Sequence, residues 1–99
     1  MNELIGLVEA WAIEKGLHKS DPSKQLLKVF EEVGEVTQAF TRNQYDELKM
    51  ELGDLIVTVI IFAMQNHLDV DDCLQKAYDK ISKRSGEMRN GIFVKSEDL

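Results

Sequence analysis

Cysteine, proline and basic charge are all scarce in this chain of 99 residues. Its one cysteine, Cys73, excludes an internal disulfide and a thiolate zinc cluster and fits a reducing compartment. Packing is the role expected of it. Lysine and arginine number 12 against 18 acidic residues, giving a net charge of −6 and a pI near 4.8. That balance speaks against a nucleic-acid polymer as partner, because backbone binding needs clustered cations that outweigh the acids. No basic segment leads from Met1 into an apolar stretch and no small-residue cleavage pattern follows, so a secretory signal is not expected and the chain is read as cytoplasmic. Repeats, low-complexity tracts, an interdomain linker, a nucleophilic triad and a phosphate-cradling glycine loop are also missing. The expectation is one domain over residues 1–99. A chain this short buries only about 60–70% of its unfolded surface, so a partner subunit would help it considerably.

The single proline, Pro22, follows Asp21 and precedes a long periodic stretch, the pattern of an N-cap aspartate with proline in the first helical turn. The spacing predicts four helices. The first, over residues 2–15, repeats Leu4, Ile5, Val8, Trp11 and Ala12 at helical spacing, and a loop runs from Gly16 to Ser20. The second, over 23–41, places Leu26, Phe30, Val33, Thr37 and Phe40 in one stripe, expected to be its core face. The third, over 44–65, is apolar around nearly its whole circumference in residues 55–64. A buried strand would share that β-branched content, but the helical pattern enters from Leu48 and Leu52 with no turn signal between. The run is about half of the roughly twenty residues that cross a bilayer, so no membrane span is expected. One small bundle cannot cover it, and oligomerisation through this helix is expected instead. The fourth helix has N-cap candidates in residues 69–72 and is drawn to Ser85. Leu74, Ala77, Tyr78 and Ile81 would face its core, and Lys76, Lys80, Lys83 and Arg84 form a basic flank. The remainder beyond Gly86, through residues 91–95, reads as an ordered or partly ordered tail. The fold class is therefore all-α, a four-helix protomer.

Two short acidic clusters interrupt this apolar pattern: Glu31, Glu32 and Glu35 around Gly34, and Glu51 with Asp54 around Gly53. They lie symmetrically about Asn43, Glu35 and Glu51 at equal separations and Glu32 and Asp54 at equal, larger ones. An antiparallel helical hairpin turning at Asn43 would bring both pairs to matching heights. Each pair is spaced i,i+3 and projects from one side of its helix. Carboxylates about 5 Å apart repel by about 3 kcal/mol at an effective dielectric near 20, so their convergence needs compensation. Oxygen ligands without histidine or cysteine favour a hard cation, Mg²⁺ with Mn²⁺ as substitute, and Mg²⁺ completes its shell with waters and substrate phosphates. The plainer alternative is that these acids coat the solvated face of a bundle. Glycine costs about 1 kcal/mol relative to alanine inside a helix, so Gly34 and Gly53 suggest a need for close helix approach or ligand access.

The order of Glu31-Glu32-x-x-Glu35 and Glu51-x-x-Asp54, with residues 11–16 and 25–30 upstream and residues 80–84 and 91–95 downstream, resembles the MazG-like branch of the all-α nucleoside triphosphate pyrophosphohydrolases. The resemblance implies that Glu32, Glu35, Glu51 and Asp54 coordinate Mg²⁺, which in turn binds the triphosphate of a nucleotide. It implies a supporting catalytic role for Glu31, either on the attacking water or on metal through water. The reaction implied is hydrolysis of a nucleoside triphosphate to monophosphate and pyrophosphate, with metal ions generating hydroxide and neutralising the phosphates. Lys80 and Arg84 match basic positions that the family uses on phosphates, with Lys83 beside them and Lys95 the most distant candidate. Tyr78 stands where some relatives carry a substrate-contacting asparagine, so base preference stays open.

Trp11 either stacks on the base or packs in the core, and Phe30 and Phe40 are expected in the core. His18 and His67 have no partner at ligand spacing and are expected on the surface. A homodimer or homotetramer is expected. The alternative from another class is a catalytically silent helical module that binds nucleotide or metal, or serves only to dimerise.

Overall fold

The structure, a computed structural model, describes residues 2–99. In chain order it contains α1 (Asn2–Glu14), a 3-10 turn (Leu17–Lys19), α2 (Pro22–Thr41), α3 (Tyr45–Gln65), α4 (Val70–Ile81), strands β1 (Gly86–Arg89) and β2 (Ile92–Lys95), and a closing 3-10 turn (Ser96–Asp98). The protein is thus mostly helical, with four α-helices and one small β-hairpin. None of the helices among the described residues is long and apolar enough to cross a membrane.

Local chemistry explains the helix boundaries. Asp21 accepts a hydrogen bond from the Ser23 N–H at 2.9 Å and Pro22 occupies the first helical turn, so α2 begins where the Asp-Pro pair requires. It ends in a Schellman motif: Asn43, at φ 56°, donates to Phe40 O (3.1 Å) and Gln44 to Ala39 O (3.0 Å). The same device ends α3, with His67 at φ 59° donating to Met64 O and Leu68 donating to Ala63 O. His67 is therefore a backbone cap as well as a surface residue, because histidine tolerates the left-handed region better than most side chains. Asp69 caps α4 through the Asp71 N–H at 2.9 Å.

The α2–α3 hairpin turns at Asn43 and is the most extensively packed pair. Gln25 Nε2 on α2 donates to the Thr58 carbonyl of α3, and Gln65 Nε2 on α3 donates to Leu17 O, fastening the first turn of the chain to the end of α3. The core is small: Ile5 and Ala12 from α1, Ala39 from α2, and Ile60, Ile61 and Ala63 from α3. His18, expected on the surface, is partly covered, and its Nδ1 is buried without a hydrogen-bond partner. Cys73, expected to pack, is exposed because α4 leaves that side uncovered.

Several expected core faces are open. The stripe of α2 turned toward α3 is Gln25, Val29, Glu32, Val36 and Ala39, one residue out of phase with the stripe read from hydrophobicity. Leu26, Phe30, Val33 and Phe40 are exposed, Phe30 at 66% and Phe40 at 68%. One residue is about 100° of helix, so the two stripes are adjacent faces of α2 and this chain covers only one. On α4, Leu74, Tyr78 and Ile81 are likewise exposed, and Ala77 lines an open groove with them. Ile56 and Val59 on α3 are also uncovered. The chain is correspondingly extended, with a radius of gyration of 16.4 Å, where about 13 Å is usual at this length.

α4 stops at Ile81, not at Ser85: Ser82 is its C-cap, its hydroxyl donating to Asp79 O, and the chain then tightens into a turn in which the Arg84 N–H donates to Ile81 O at 3.0 Å. Lys83 and Arg84 thus lie past the helix, and Lys80 alone of the three is helical. The expected tail is a β-hairpin, paired Gly86 with Lys95 through Arg89 with Ile92. Its turn is Asn90-Gly91, at φ 53° and 80°, the two-residue turn whose twist suits a hairpin.

Candidate metal centre

Antiparallel packing of α2 on α3 brings the two acidic clusters face to face. Glu32, Glu51 and Asp54 each offer a carboxylate oxygen within 4.8 Å of the others. Glu32 and Glu51 are half-buried and Asp54 is exposed, so the group sits at the open edge of the helix pair. Glu35 lies outside this set but close enough for its charge to act on Glu51. Partial burial, then the carboxylates of Asp54, Glu35, Glu32 and Glu47 in that order, push the Glu51 carboxyl above its ordinary value. Glu31 is exposed, and one residue from Glu32 it points about 100° away around the helix.

The donor set is all carboxylate oxygen, which suits a hard divalent cation. Three acids held together with their repulsion unrelieved also match a site completed by positive charge. Gly34 and Gly53 flank it, and a Cβ at either would meet open space, so neither mediates close helix contact within this chain. Ligand access is the part of the glycine reading that this geometry leaves standing.

The basic residues gather elsewhere. Lys80, from the last turn of α4, and Lys83 and Arg84, just after it, share an open pocket of about 500 Å³ with Lys95 of β2. Ser85, Ser96 and the acidic Glu97 also line it, and the Ser96 N–H donates to Ser85 O at 2.7 Å. Lys95 enters because the hairpin returns it to the end of α4. The signal for that return was in the sequence: Asn90-Gly91 between short apolar stretches is a strong hairpin pattern.

Trp11 is neither buried nor isolated. At 47% exposure it lines an apolar groove of about 330 Å³ with Leu4, Leu7 and Val8 of α1 and Val57 of α3. Val57 is three residues beyond Asp54 on α3, and none of the acids lines this groove.

An antiparallel helical hairpin whose two strands of acids converge, preceded by a capped turn and followed by a basic arm, defines a helical carboxylate-site protein. The chain belongs to the MazG nucleotide pyrophosphohydrolase domain family, whose sequence profile matches residues 21–88. That span holds α2, α3, α4 and all but the last residue of β1, and therefore all the acids of the site. The chain is also 39% identical over 70 residues to the uncharacterized 18.2 kDa protein in the rep-hol intergenic region of Haemophilus phage HP1 (strain HP1c1). The alignment covers 70% of this chain and 43% of that protein, so the chain spans less than half the length of this relative. No solved structure matches the chain significantly.

Proposed function

We propose that this protein is an Mg²⁺-dependent pyrophosphohydrolase that cleaves a nucleoside triphosphate to the monophosphate and pyrophosphate. The observation that carries this reading is the convergence of Glu32, Glu51 and Asp54 from facing helices in a chain of the MazG family. These three residues would hold the cation, with Mn²⁺ a substitute, and Glu35 would join them by a rotamer change or through water. When bound, the metal supplies an activated water and neutralises the phosphates. Glu31, outside the set, would act on the attacking water only indirectly. Trp11 would offer its open face to the base, since an aromatic plane accepts any nucleobase, while Lys80, Lys83 and Arg84 would bind phosphate oxygens.

The same reading includes assembly of two or four copies. The chain exposes 7819 Å², whereas a compact monomer of 11.3 kDa exposes about 5,700 Å². The excess, roughly 2,000 Å² per chain, is the scale of an obligate interface. Exposed Ile56 and Val59 on α3 support a role for that helix, and the Phe30 stripe of α2 and the Tyr78 face of α4 enlarge the surface to be covered.

The test is incubation of the purified protein with each common ribo- and deoxyribonucleoside triphosphate and Mg²⁺, with product identification. Pyrophosphate and monophosphate, abolished by chelator, is the expected result. Orthophosphate and diphosphate would overturn the reaction assigned here. No turnover with any substrate, together with nucleotide binding, would favour the silent binding module.

A further inference from the structure

Helices held together by apolar contacts alone can slide, because burial of apolar surface is non-directional. A carboxylate site built across two helices does not tolerate sliding, since a shift of one residue moves a side chain about 1.5 Å along the axis and about 100° around it. Three crossings along the α2–α3 hairpin share one register. Ala39 meets Gln44 at the turn, where the Gln44 N–H donates to Ala39 O at 3.0 Å. Glu32 meets Glu51 within the acidic group. Gln25 meets Thr58, whose carbonyl accepts from the Gln25 amide at 3.1 Å. From each crossing to the next is seven residues on both helices, so the acids lie midway between two hydrogen-bonded crossings, about 10 Å of helix from each. The crossing at Gln25 differs from its surroundings. Val29 and Val36, on the same stripe of α2, are apolar, and among the described residues Gln25 makes the one side-chain hydrogen bond that joins α2 to α3. Gln25 is half-buried and Thr58 buried, where a directional bond is shielded from competition with water. The Thr58 hydroxyl turns back to Leu55 O at 2.7 Å, and the amide takes the carbonyl. At one end of the hairpin the turn itself fixes the register; at the other, Gln25 supplies the corresponding fixed point. Facing carboxylates repel, which favours splaying or sliding of that end until a cation binds.

We propose that Gln25 is a positioning residue of the carboxylate site: its amide, seated on the Thr58 carbonyl, holds α2 and α3 in the register at which Glu32 meets Glu51 and Asp54. It lies two helical turns from Glu32 and acts through the helices, not on the cation. Without its bond, Val29 and Val36 are left to hold this stretch of α2, and such contacts are satisfied almost as well in an adjacent register. The acids then converge less often and cation affinity falls. The role rests on the pyrophosphohydrolase reading for its place in the reaction, but cation binding is measured apart from turnover.

The experiment is titration of the intact protein with Mn²⁺, read by the electron paramagnetic resonance signal of the free ion, beside thermal melts without metal. It compares the native chain with Gln25→Met, Gln25→Glu and Val29→Ala. Gln25→Met keeps the length of the side chain and removes the donor. It is expected to weaken Mn²⁺ binding about tenfold, the low end of what loss of a supporting hydrogen bond costs a metal site. Gln25→Glu also lacks the donor at neutral pH but adds a negative charge to the hairpin. Charge alone would tighten Mn²⁺ binding, whereas loss of register should weaken it. Val29→Ala removes apolar packing from the same stripe; it should lower the melting temperature at least as much as Gln25→Met while binding Mn²⁺ within twofold of the native chain. Binding by Gln25→Met within twofold of the native chain, or tighter binding by Gln25→Glu, would overturn the positioning role. So would a loss of affinity in Val29→Ala equal to that in Gln25→Met, which would reduce the effect to stability. If Gln25→Met fails to fold, Gln25→Glu decides. A native chain that binds no Mn²⁺ would strike the metal site and the positioning role together. Binding that depends on Gln25, with no turnover of any nucleotide, would strike the hydrolytic reading and leave the positioning role in place.

Discussion

The α2–α3 hairpin and the arm that follows it, α4 with the β-hairpin, differ in both charge and cover. The first is acidic at its site, ended by two Schellman motifs, tied within itself by Gln25 and to the Leu17–Lys19 turn by Gln65. The second is basic, and its apolar face, Leu74, Tyr78 and Ile81, lies open. A helix pair that satisfies its own ends and covers one face can stand within a single chain. An amphipathic helix whose apolar face meets nothing must find a partner surface, since burying such side chains is worth about 1.5–3 kcal/mol each. The converging acids therefore sit on the hairpin that packs against itself and the clustered cations on the arm whose apolar face is open.

The sharpest way to break this contrast is to remove acids from the first region. Glu32→Gln and Asp54→Asn are each expected to lower pyrophosphate release by about 100-fold or more, with helix content and melting temperature unchanged or raised. Retained turnover in both variants would remove the metal site from α2–α3. Metal addition sharpens the same point: Mg²⁺ at a hundred times its dissociation constant should stabilise the fold by about 2.7 kcal/mol, and Glu51→Gln should blunt that gain. A thermal-shift titration with chelator reversal reads it directly; no shift at any Mg²⁺ concentration would favour the solvated-face reading of the acids.

The open apolar faces of both regions break differently. Phe30→Asp on α2 and Tyr78→Asp on α4 should each convert the proposed assembly to a smaller species in sedimentation, because a charge then replaces exposed apolar area; a native chain that sediments as a monomer would remove the assembly altogether. An unchanged sedimentation coefficient in both would place the interface on α3 alone. Smaller still is Gly53→Ala. Open space at its Cβ means the substitution should raise stability by about 1 kcal/mol, while lost turnover in that stabilised variant would show that the position is kept small for the ligand.

The smallest effect concerns Glu9, whose carboxyl is pushed up by burial first and then by Asp69 and Asp71 at the start of α4. A raised folded-state value means the stability it contributes is fully present below the ordinary glutamate range and is lost as pH rises through the raised value. Glu9→Gln should therefore melt slightly higher than the native chain at neutral pH and indistinguishably from it in acid. A difference that grew on acidification would reverse the sign and the cause.

Much of this was legible in the residues. Asp21-Pro22 marked the start of α2, the spacing of Glu32 and Glu51–Asp54 about Asn43 foretold the hairpin that joins them, and the apolar circumference of residues 55–64 foretold uncovered surface. Glu35 was less legible: equal separation from Asn43 places it opposite Glu51 in height, but not in rotation about α2. The face of α2 was misjudged by one position because two adjacent stripes are both apolar, and periodicity cannot tell a face covered within the chain from one left for a partner. Lys83 and Arg84 read as helical in the sequence, since a basic stretch continues helical composition past Ser82, the C-cap at which α4 ends.

Local chemistry determined what short-range forces can determine: where helices begin and end, the turn at Asn43, the hairpin turn at Asn90-Gly91, and the clustering of acids along α2 and α3. Tertiary structure alone decided which carboxylates approach within 4.8 Å, that Lys95 joins the cations at the end of α4, and which apolar stripes stay open. Those outcomes depend on the rotation of one element against another, and rotation is settled by packing between residues far apart in the chain.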